Sequence, residues 1–515
     1  MGALNHTDVL IIGGGITARR AAKIIAEKYA VTLVCDGLGA SPYVHGLNVP
    51  LLKDDSEELF YTDTLISGKW QNDKELVRVL TRGAEEVKRE FYADFDKKPS
   101  GEFDLLKPLG SSVPRVASIN GRTGAKILRD LEAINNCTVI ENARALSLIK
   151  KENSVIGAYV YDKKRAVHFP VYARAVLIAS GGFGGIFRFS TNSQDIGGDG
   201  VAMALLAGAA LTDMEFIQYE PTVAIAPTAL IGKSVITTML FEGAVMRNKN
   251  GERFMDERVG KDELSLGIAK EIGRGGGTPL GGVYYDMMGV PYEMLTGKYK
   301  DYYHRYKNHG IDISKTPVEI APAPHTTMGG IKIDTACRTS IDGLFAAGEA
   351  AGGVHGANRL GGNAGLEVLV FGDTAGYAIT DYLDKKLDTG ATLSLNEVRE
   401  YPDMPHDTSK ERAELLSLLD SALGVIKCQK DMLSAMDKID GILEKCSQER
   451  KSFDLIRLRN DALAAKAVLV AALERRASVG AHVRSDSTLT NEEKYRIILV
   501  NENGEITAKK ELLND

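Results

Sequence analysis

The chain opens with blocks of apolar and polar positions that predict a strand, a turn, a helix and a second strand across residues 8 to 36. DVLII and VTLVC are short apolar runs typical of buried strands, and RRAAKIIAEKYA between them has apolar residues at helical spacing. The connecting GGGITA is the GxGxxA form of a dinucleotide-binding turn. Gly13 permits the tight turn, Gly15 lets a pyrophosphate approach the backbone, and Ala18 keeps helix and strand close. We therefore predict an α/β domain of the Rossmann type.

Three further positions are predicted to face the same dinucleotide. Asp36 follows the second strand, where an acidic side chain contacts a ribose; alternatively the strand ends at Cys35 and Asp36 is a solvated loop residue. A later apolar run, ARAVLI, leads into a glycine turn at Gly181 that suits close approach of backbone to cofactor. The GGDG turn before an Ala-rich helix adds Asp199 to the predicted cofactor contacts.

Patterns elsewhere predict a mixture of strands and helices. Short β-like runs occupy residues 138 to 178, and apolar residues recur at helical spacing in 73 to 95 and 410 to 476. At the end, YRIILV and EITAKK flank Asn503 and Gly504, which predicts a β-hairpin. The hairpin either covers a sheet edge or contacts another protomer, and we favour edge protection.

A glycine-rich segment, GEAAGGVHGANRLGGNAGLE, stands before the apolar run LEVLVF that predicts a buried helix start. A helix N-terminus favours negative charge, and a guanidinium beside it can bind a carboxylate through two hydrogen bonds. We expect a cofactor and an anionic substrate to meet at this segment.

Composition excludes several classes of function. The 515 residues carry 63 basic and 69 acidic side chains, a net charge of −6, which gives no basic footprint for nucleic acid. The 5 cysteines form no CxxC pair, so no disulfide framework, iron–sulfur cluster or metal site is predicted. No apolar stretch reaches the roughly 18 to 20 residues of a membrane helix. These features predict a cytoplasmic protein without a membrane span.

The order of motifs resembles the flavoprotein family of succinate dehydrogenase, fumarate reductase and L-aspartate oxidase. The resemblance rests on GGGITA, LIASGG, GGDGVAMALLAGAALTDMEFIQYEPT, NKNGERFM, HTTMGG, GLFAAGEAAGGVHGANRL and RRASVGAH. It implies a Rossmann-type FAD-binding domain, an inserted α+β capping domain and a C-terminal helical bundle. The expected ranges are 1–220 with 331–390 for the FAD domain, 221–330 for the cap, 391–486 for the bundle and 487–515 for a terminal hairpin or tail.

The resemblance also implies roles for particular residues. Arg359 in HGANRL matches the arginine that binds the substrate carboxylate, and His325 in PHTTMGG matches the substrate histidine. Glu349 matches a glutamate that contacts the flavin, and the helix beginning at Asn363 and Ala364 would direct its positive end toward flavin N1 and O2. The competing interpretations are a structural ion pair for Arg359 and a structural histidine for His325.

Several positions depart from the family pattern. Glu220 stands where QFHPT has histidine, and Lys261 stands where the family has a proton-shuttle arginine, unless a shifted alignment places Ser265 there. Leu240 and Phe241 replace the first two residues of RGEGA. Pro42 replaces the histidine that tethers FAD in some members, and although His45 is close by, we expect non-covalent FAD.

These departures leave the identity of the substrate undecided. A free Glu220 would repel a second carboxylate and favour a monocarboxylate with a polar or cationic group, such as an amino acid, whereas a Glu220–Lys261 ion pair would leave the pocket neutral. We expect Lys261, Arg359, His325 and Glu220 to form the catalytic pocket. An L-aspartate oxidase-like enzyme is the first hypothesis. The alternatives are a fumarate-reductase-like C=C reductase served by a separate electron-transfer protein, or a flavin-binding subunit without catalysis; a homo-oligomer is a further partner hypothesis.

Overall fold

A computed structural model describes residues 6–387, 400–446, 452–489 and 493–513. In chain order the α-helices are α1 Ile16–Ile25, α2 Glu57–Ser67, α3 Lys74–Phe91, α4 Thr123–Asp130, α5 Asp199–Ala207, α6 Lys261–Glu271, α7 Tyr292–Thr296, α8 Lys300–Lys307, α9 Asn363–Leu387, α10 Ser409–Ala422, α11 Gln429–Cys446 and α12 Phe453–Glu474. The strands are β1 His6–Ile12, β2 Val31–Cys35, β3 Leu47–Asn48, β4 Leu105–Leu106, β5 Val116–Ala117, β6 Cys137–Glu141, β7 Ala143–Lys151, β8 Ser154–Asp162, β9 Val167–Ile178, β10 Leu211–Thr212, β11 Ile217–Ala224, β12 Val245–Arg247, β13 Val283–Asp286, β14 Val318–Thr327, β15 Gly330–Lys332, β16 Leu344–Ala346, β17 Ala351–Gly352, β18 Tyr401–Pro402, β19 Ile426–Lys427, β20 Val483–Arg484, β21 Tyr495–Glu502 and β22 Glu505–Leu512.

The largest sheet has the order β6-β2-β1-β9-β8-β7, with β16 and β18 also on β9. Strands β6, β2, β1, β9 and β16 are parallel to their neighbours in this set, and β1 is in register with β9 through Ile12 and Ile178. The carboxyl ends of parallel strands lie at one edge of a sheet, which is where ligands bind in such folds. The turns after β1, β2, β9 and β16 therefore meet at one place.

Helices α1 and α9 cover one face of this sheet at very short separation. A Cβ on Gly376 of α9 would lie 3.0 Å from the Cβ of Ile24, so a larger side chain would push the helices apart. Arg20 of α1 donates to Glu90 of α3 at 2.7 Å and to Asp373 of α9 at 2.8 Å. These contacts fix the middle of α9 against α1, the helix that follows the glycine turn.

A second layer forms around the antiparallel sheet β11-β14-β13-β12 with helices α6, α7 and α8. It has a separate apolar core. Residues such as Met246, Leu264, Tyr285 and Ile320 are completely buried in that core. This is the α+β capping domain of the predicted fold class.

The C-terminal helices α10, α11 and α12 pack together, and α12 lies against the start of α5. A Cβ on Gly198 would lie 2.6 Å from the Cβ of Ala464, which explains the small residues at this contact. The predicted terminal hairpin is confirmed: β21 and β22 pair through the Asn503–Gly504 turn, and β21 also pairs with β10. The hairpin thus extends the sheet β17-β15-β10-β21-β22.

The fold class is as predicted, with a Rossmann-type layer, an inserted cap and a helical bundle. The exact domain boundaries stay a prediction, and the one at residue 390 lies outside the described residues. Across the described ranges, no helix is both long and apolar enough to cross a membrane.

Candidate functional site

The glycine turn after β1 forms the floor of a cleft at the sheet edge. Gly13 has φ +133°, and a Cβ there would lie 2.1 Å from the carbonyl oxygen of Ala179, so only glycine fits. Ser41 Oγ accepts a hydrogen bond from the Ile16 N–H at 3.0 Å, which marks the start of α1 as a place for an acceptor oxygen. A Cβ on Gly15 would lie 2.7 Å from that same Oγ. The absence of a side chain at Gly15 therefore leaves room for Ser41, and both residues line the cleft.

Asp36 and Asp199 lie on the cleft wall and share one cation. Arg144 of β7 donates to Asp199 at 2.6 Å and to Asp36 at 3.1 Å, and Lys163 donates to Asp36 at 2.6 Å. Strand β2 ends at Cys35, as in the competing interpretation, but Asp36 is largely buried in these ion pairs rather than solvated. The ribose contact stays a prediction. Sequence reasoning missed Arg144, which belongs to no motif.

The second predicted turn follows β9 and lies beside the first, since β9 pairs with β1. Gly181 has φ +77° and lines the cleft with Glu349. Glu349 accepts from the backbone N–H of Thr327 at 3.2 Å and from Asn192 Nδ2 at 3.1 Å, and burial raises the pKa of its carboxyl. The carboxylate is thus fixed in position while it remains exposed to the cleft.

Helix α9 begins where the glycine-rich segment ends, as predicted. The buried Asn363 side chain accepts from Asn48 Nδ2 at 2.6 Å and donates to Thr64 Oγ1 at 3.2 Å, so it locks the first turn instead of facing the cleft. Ala364, Glu367 and Val368 line the cleft. The first turn of α9 therefore presents its positive end there.

This cleft fits FAD. The glycine turn, the carboxyl groups of Asp36 and Asp199 and the first turn of α9 all line it, and these are the groups that we expect to meet the pyrophosphate, a sugar hydroxyl and the flavin. Ala18 is completely buried beneath the turn, in agreement with a packing role.

Arg359 lies on the glycine-rich segment before α9, and no charged group of the described residues is in contact with its guanidinium. Its side chain forms no ion pair with any described residue, and Nε has no hydrogen-bond partner although the residue is only 6% exposed. Burial lowers the pKa of the guanidinium. Gln218 Nε2 donates to the Arg359 carbonyl oxygen at 2.8 Å and to Asn358 Oδ1 at 2.9 Å, which positions this segment. A structural ion pair for Arg359 is therefore not observed.

Glu220 and Lys261 form the ion pair that the sequence left as an alternative. Lys261 Nζ donates to Glu220 Oε2, whereas Thr222 Oγ1, which lies 3.1 Å from Oε1, donates its one proton to the Val235 carbonyl oxygen at 2.5 Å. The side chains of Lys261 and Glu220 are only 15% and 6% exposed. Glu220 is therefore not the free anion on which the repulsion of a second carboxylate depended, because Lys261 neutralises its charge. Ser265 instead contacts the Tyr219 carbonyl oxygen at 3.5 Å.

His325 connects this pair to the cofactor side. Its Nδ1 lies 2.6 Å from Thr191 Oγ1, and its Nε2 lies 3.9 Å from Glu220 Oε2. Burial, followed by the charges of Lys261 and Arg359, holds the pKa of the imidazole well below its usual range. His325 is therefore neutral near pH 7 and can hydrogen-bond without adding charge.

The cap contributes a second guanidinium that sequence reasoning missed. Arg305 Nη1 of α8 donates to the Ser234 carbonyl oxygen at 3.0 Å, and its guanidinium lies 5.0 Å from the Tyr302 ring centroid. Within the described part of the chain, Arg305 has no ion-pair partner. Burial, followed by the charges of Arg305 and Lys261, lowers the pKa of His45, so both cations act on the same imidazole. No motif marks Arg305, since only the fold brings α8 to this place.

Comparison with known proteins identifies the class. Residues 8–364 match the family described as FAD binding domain, and residues 412–512 match Fumarate reductase flavoprotein C-term. The chain belongs to the succinate dehydrogenase, fumarate reductase and L-aspartate oxidase flavoprotein family. It is an FAD-dependent oxidoreductase, as the motif order predicted. Whether the FAD is covalently attached stays a prediction.

Two relatives cover nearly the whole chain. One subunit of the fumarate reductase (CoM/CoB) of Methanothermobacter marburgensis is 34% identical, with 97% of each chain aligned. L-aspartate oxidase of Halobacterium salinarum is 33% identical, over 94% of this chain and 98% of the relative. The structure of Mycobacterium smegmatis Sdh1 in complex with UQ1 superposes with a TM-score of 0.85 at 28% identity, covering 99% of this chain and 95% of that one.

Proposed function

We propose that this FAD-dependent oxidoreductase reduces the C=C bond of a small α,β-unsaturated dicarboxylate, with electrons from a separate donor protein. The observation that carries the proposal is the Lys261–Glu220 ion pair beside two guanidiniums that have no ion-pair partner in the described structure, Arg359 and Arg305. FAD, when bound, supplies hydride exchange at flavin N5. The residues of the chain supply substrate binding and the proton.

The charges of the pocket favour a dianion. Lys261 and Glu220 cancel, and His325 is neutral because its pKa is depressed, so Arg359 and Arg305 leave an excess of positive charge. The carboxyl groups of Glu349 and Glu367 act on Arg359 from the cofactor cleft, and Asp301, exposed on α8, acts on the His45 side, so part of this positive charge is offset at each end. Each guanidinium can bind one carboxylate through charge-assisted hydrogen bonds. The ammonium group of an amino acid would be repelled here, since Glu220 is already engaged.

Lys261 is the proton donor in this proposal. Hydride addition to one alkene carbon leaves the electron pair of the π bond on the neighbouring carbon, which takes a proton from Lys261 Nζ. Glu220 holds Nζ in place and stabilises the charged form before transfer. The name of the M. marburgensis relative, which is part of a fumarate reductase, agrees with this direction.

Amino-acid oxidation is the second candidate, because several relatives are named L-aspartate oxidase, including the one from H. salinarum at 33% identity. It requires Glu220 to leave Lys261 and bind the substrate amine. It also predicts oxygen as an electron acceptor and needs no donor protein.

Steady-state assays separate the candidates. Reduced methyl viologen replaces the donor protein, and its oxidation is followed with fumarate, the monocarboxylate crotonate, or no acceptor. We expect fumarate-dependent oxidation and a much smaller rate with crotonate. Oxygen consumption with L-aspartate and no response to fumarate would refute the proposal in favour of the oxidase. No turnover with either substrate class would indicate a flavin-binding protein without catalysis.

A further inference from the structure

A surface groove lies behind the substrate pocket, on the other side of the first turn of α6. Lys69 Nζ lies there 3.1 Å from Asp262 Oδ2 and 3.0 Å from Glu263 Oε1. The side chains of Asp262, Lys69 and Glu263 are 3%, 32% and 56% exposed, so they form a series from the interior to solvent. Lys261 and Asp262 are consecutive residues, yet Lys261 contacts Glu220 in the pocket and Asp262 contacts Lys69 at the groove. The first turn of α6 therefore connects the substrate pocket with the groove.

Asp262 is the buried member of this series, and one of its oxygens is unused. Oδ1 is inaccessible to solvent and has no hydrogen-bond partner among the described residues. A Cβ built on Gly260 would lie 2.5 Å from Asp262 Oδ1 and 3.7 Å from Asn358 Nδ2, so the carboxylate adjoins the segment that carries Arg359. Burial raises the pKa of Asp262 and Lys69 opposes the rise, so this carboxyl binds a proton more readily than an exposed aspartate does.

Further buried polar atoms without described partners belong to residues of the neighbouring segment and of β11. Gln218 Oε1 and Arg359 Nε are both such atoms, and both residues belong to the segment that Gln218 holds together through Asn358. Buried polar groups in proteins are nearly always hydrogen-bonded, and ordered water serves where protein groups do not. Buried polar atoms of this kind are suited to bind the ordered water molecules of a short water chain.

We propose that Asp262 passes protons from the Lys69 groove to the Lys261–Glu220 pair. The proposal rests on the proposed reduction of an unsaturated carboxylate, in which Lys261 gives up one proton per turnover and must regain it. The two electrons come from the separate donor through FAD, and the second proton of the reaction comes from solvent. Asp262 gives its proton toward Lys261 through water, becomes a carboxylate beside Lys69, and is reprotonated from the groove. Asp262 is thus a positioning residue for proton delivery and does not touch the substrate.

The charged groups around Asp262 supply the control variant for the experiment. Lys69 comes from the loop after α2, and Glu263 from α6 itself, while Lys270 and Arg484 also line the groove. Glu263 contacts the same lysine at nearly the same distance but is exposed, so Glu263→Gln is the matched control for Asp262→Asn. Both variants replace one carboxyl partner of Lys69 by an amide. Only the Asp262 variant removes the buried proton carrier.

The test uses the full-length FAD-loaded protein, reduced methyl viologen and fumarate, in water and in deuterium oxide. We expect Asp262→Asn to lower kcat by about 10- to 100-fold, because a residue that resupplies the proton donor accounts for only part of the rate factor of general acid catalysis. KM should change by less than about 3-fold. The solvent isotope effect on kcat should increase because proton transfer becomes slower, and Asp262→Glu should recover part of the rate. Glu263→Gln should resemble the parent. Equal losses in both variants would overturn the relay and leave only an ion-pair clamp between cap and FAD domain.

A second measurement does not depend on turnover. An infrared pH titration should show a protonated-carboxyl band that persists above the range of an exposed aspartate, that Asp262→Asn removes and Glu263→Gln keeps. Its absence from the parent overturns the relay. If fumarate turnover is absent but this band is present, the proposed function fails while the proton-binding role of Asp262 stands. If the parent turns over and Asp262→Asn matches it in rate and isotope effect, the inference fails and the proposed function stands.

Discussion

Replacing Lys261 by methionine removes the proposed proton donor while it keeps an unbranched side chain of similar length. A positioned general acid contributes about 10²- to 10⁴-fold to a rate, so kcat for fumarate should fall by that factor. Binding should change far less, because Lys261 is already paired with Glu220 and two guanidiniums remain for the carboxylates. The assay is viologen oxidation for kcat, together with the flavin spectral shift caused by an unreactive dicarboxylate for Kd. A variant that keeps more than a tenth of the parent kcat would refute Lys261 as donor.

The same variant should lose stability for a reason that the structure specifies. Without Lys261, the carboxylate of Glu220 has no cation in contact among the described residues: Thr222 Oγ1 at 3.1 Å donates to the Val235 carbonyl oxygen, and His325 Nε2 lies at 3.9 Å. An uncompensated buried charge costs about 3 to 5 kcal/mol, and we expect the lower end because His325 can become protonated in response. The double variant Lys261→Met with Glu220→Gln should regain most of that free energy of unfolding without regaining activity. Recovery of activity in the double variant would mean that the loss in the single variant was structural.

The other predictions concern binding and pH. Arg359→Lys keeps the charge but loses the planar fork, so Kd for a dicarboxylate, from flavin difference spectra, should rise by about 30- to 150-fold, equivalent to 2–3 kcal/mol. Arg305→Gln should raise KM for fumarate by about 10-fold or more and leave crotonate unaffected, with the exposed Lys307→Gln on the same helix as control. Burial lowers the pKa of Lys427 from 10.5 to about 7. Between these values the unfolded chain holds this proton and the folded chain does not, so stability rises with pH by about 1.4 kcal/mol per unit, and Lys427→Met should remove that rise in denaturant titrations.

Local patterns predicted the cofactor side of the molecule well. The glycine turn with Gly13 and Gly15, the strand before it and the helix after it are contiguous in sequence, and their roles follow from backbone geometry alone. The terminal hairpin followed from a turn and two flanking apolar runs in the same way. Such features need no knowledge of what packs against them.

The substrate pocket could be predicted only in part, because its members come from distant segments. Glu220 on β11 and Lys261 on α6 are close only because α6 packs on that strand, so the sequence could not decide between an isolated anion and an ion pair. Arg305 and Arg144 belong to no motif, and their roles depend on what the fold places opposite them. Asn363 shows the reverse case: its position at the start of α9 was predicted, but its side chain supports the helix from behind.

The most direct test of the account is anaerobic reoxidation of the bound flavin. The FAD is first reduced with one equivalent of dithionite, and the protein is then mixed with fumarate, crotonate or L-aspartate while the flavin absorbance is followed. We predict rapid return of the oxidised spectrum with fumarate, and little change with the other two. Failure of fumarate to reoxidise the flavin, together with bleaching of the oxidised protein by L-aspartate and recovery in air, would contradict the account.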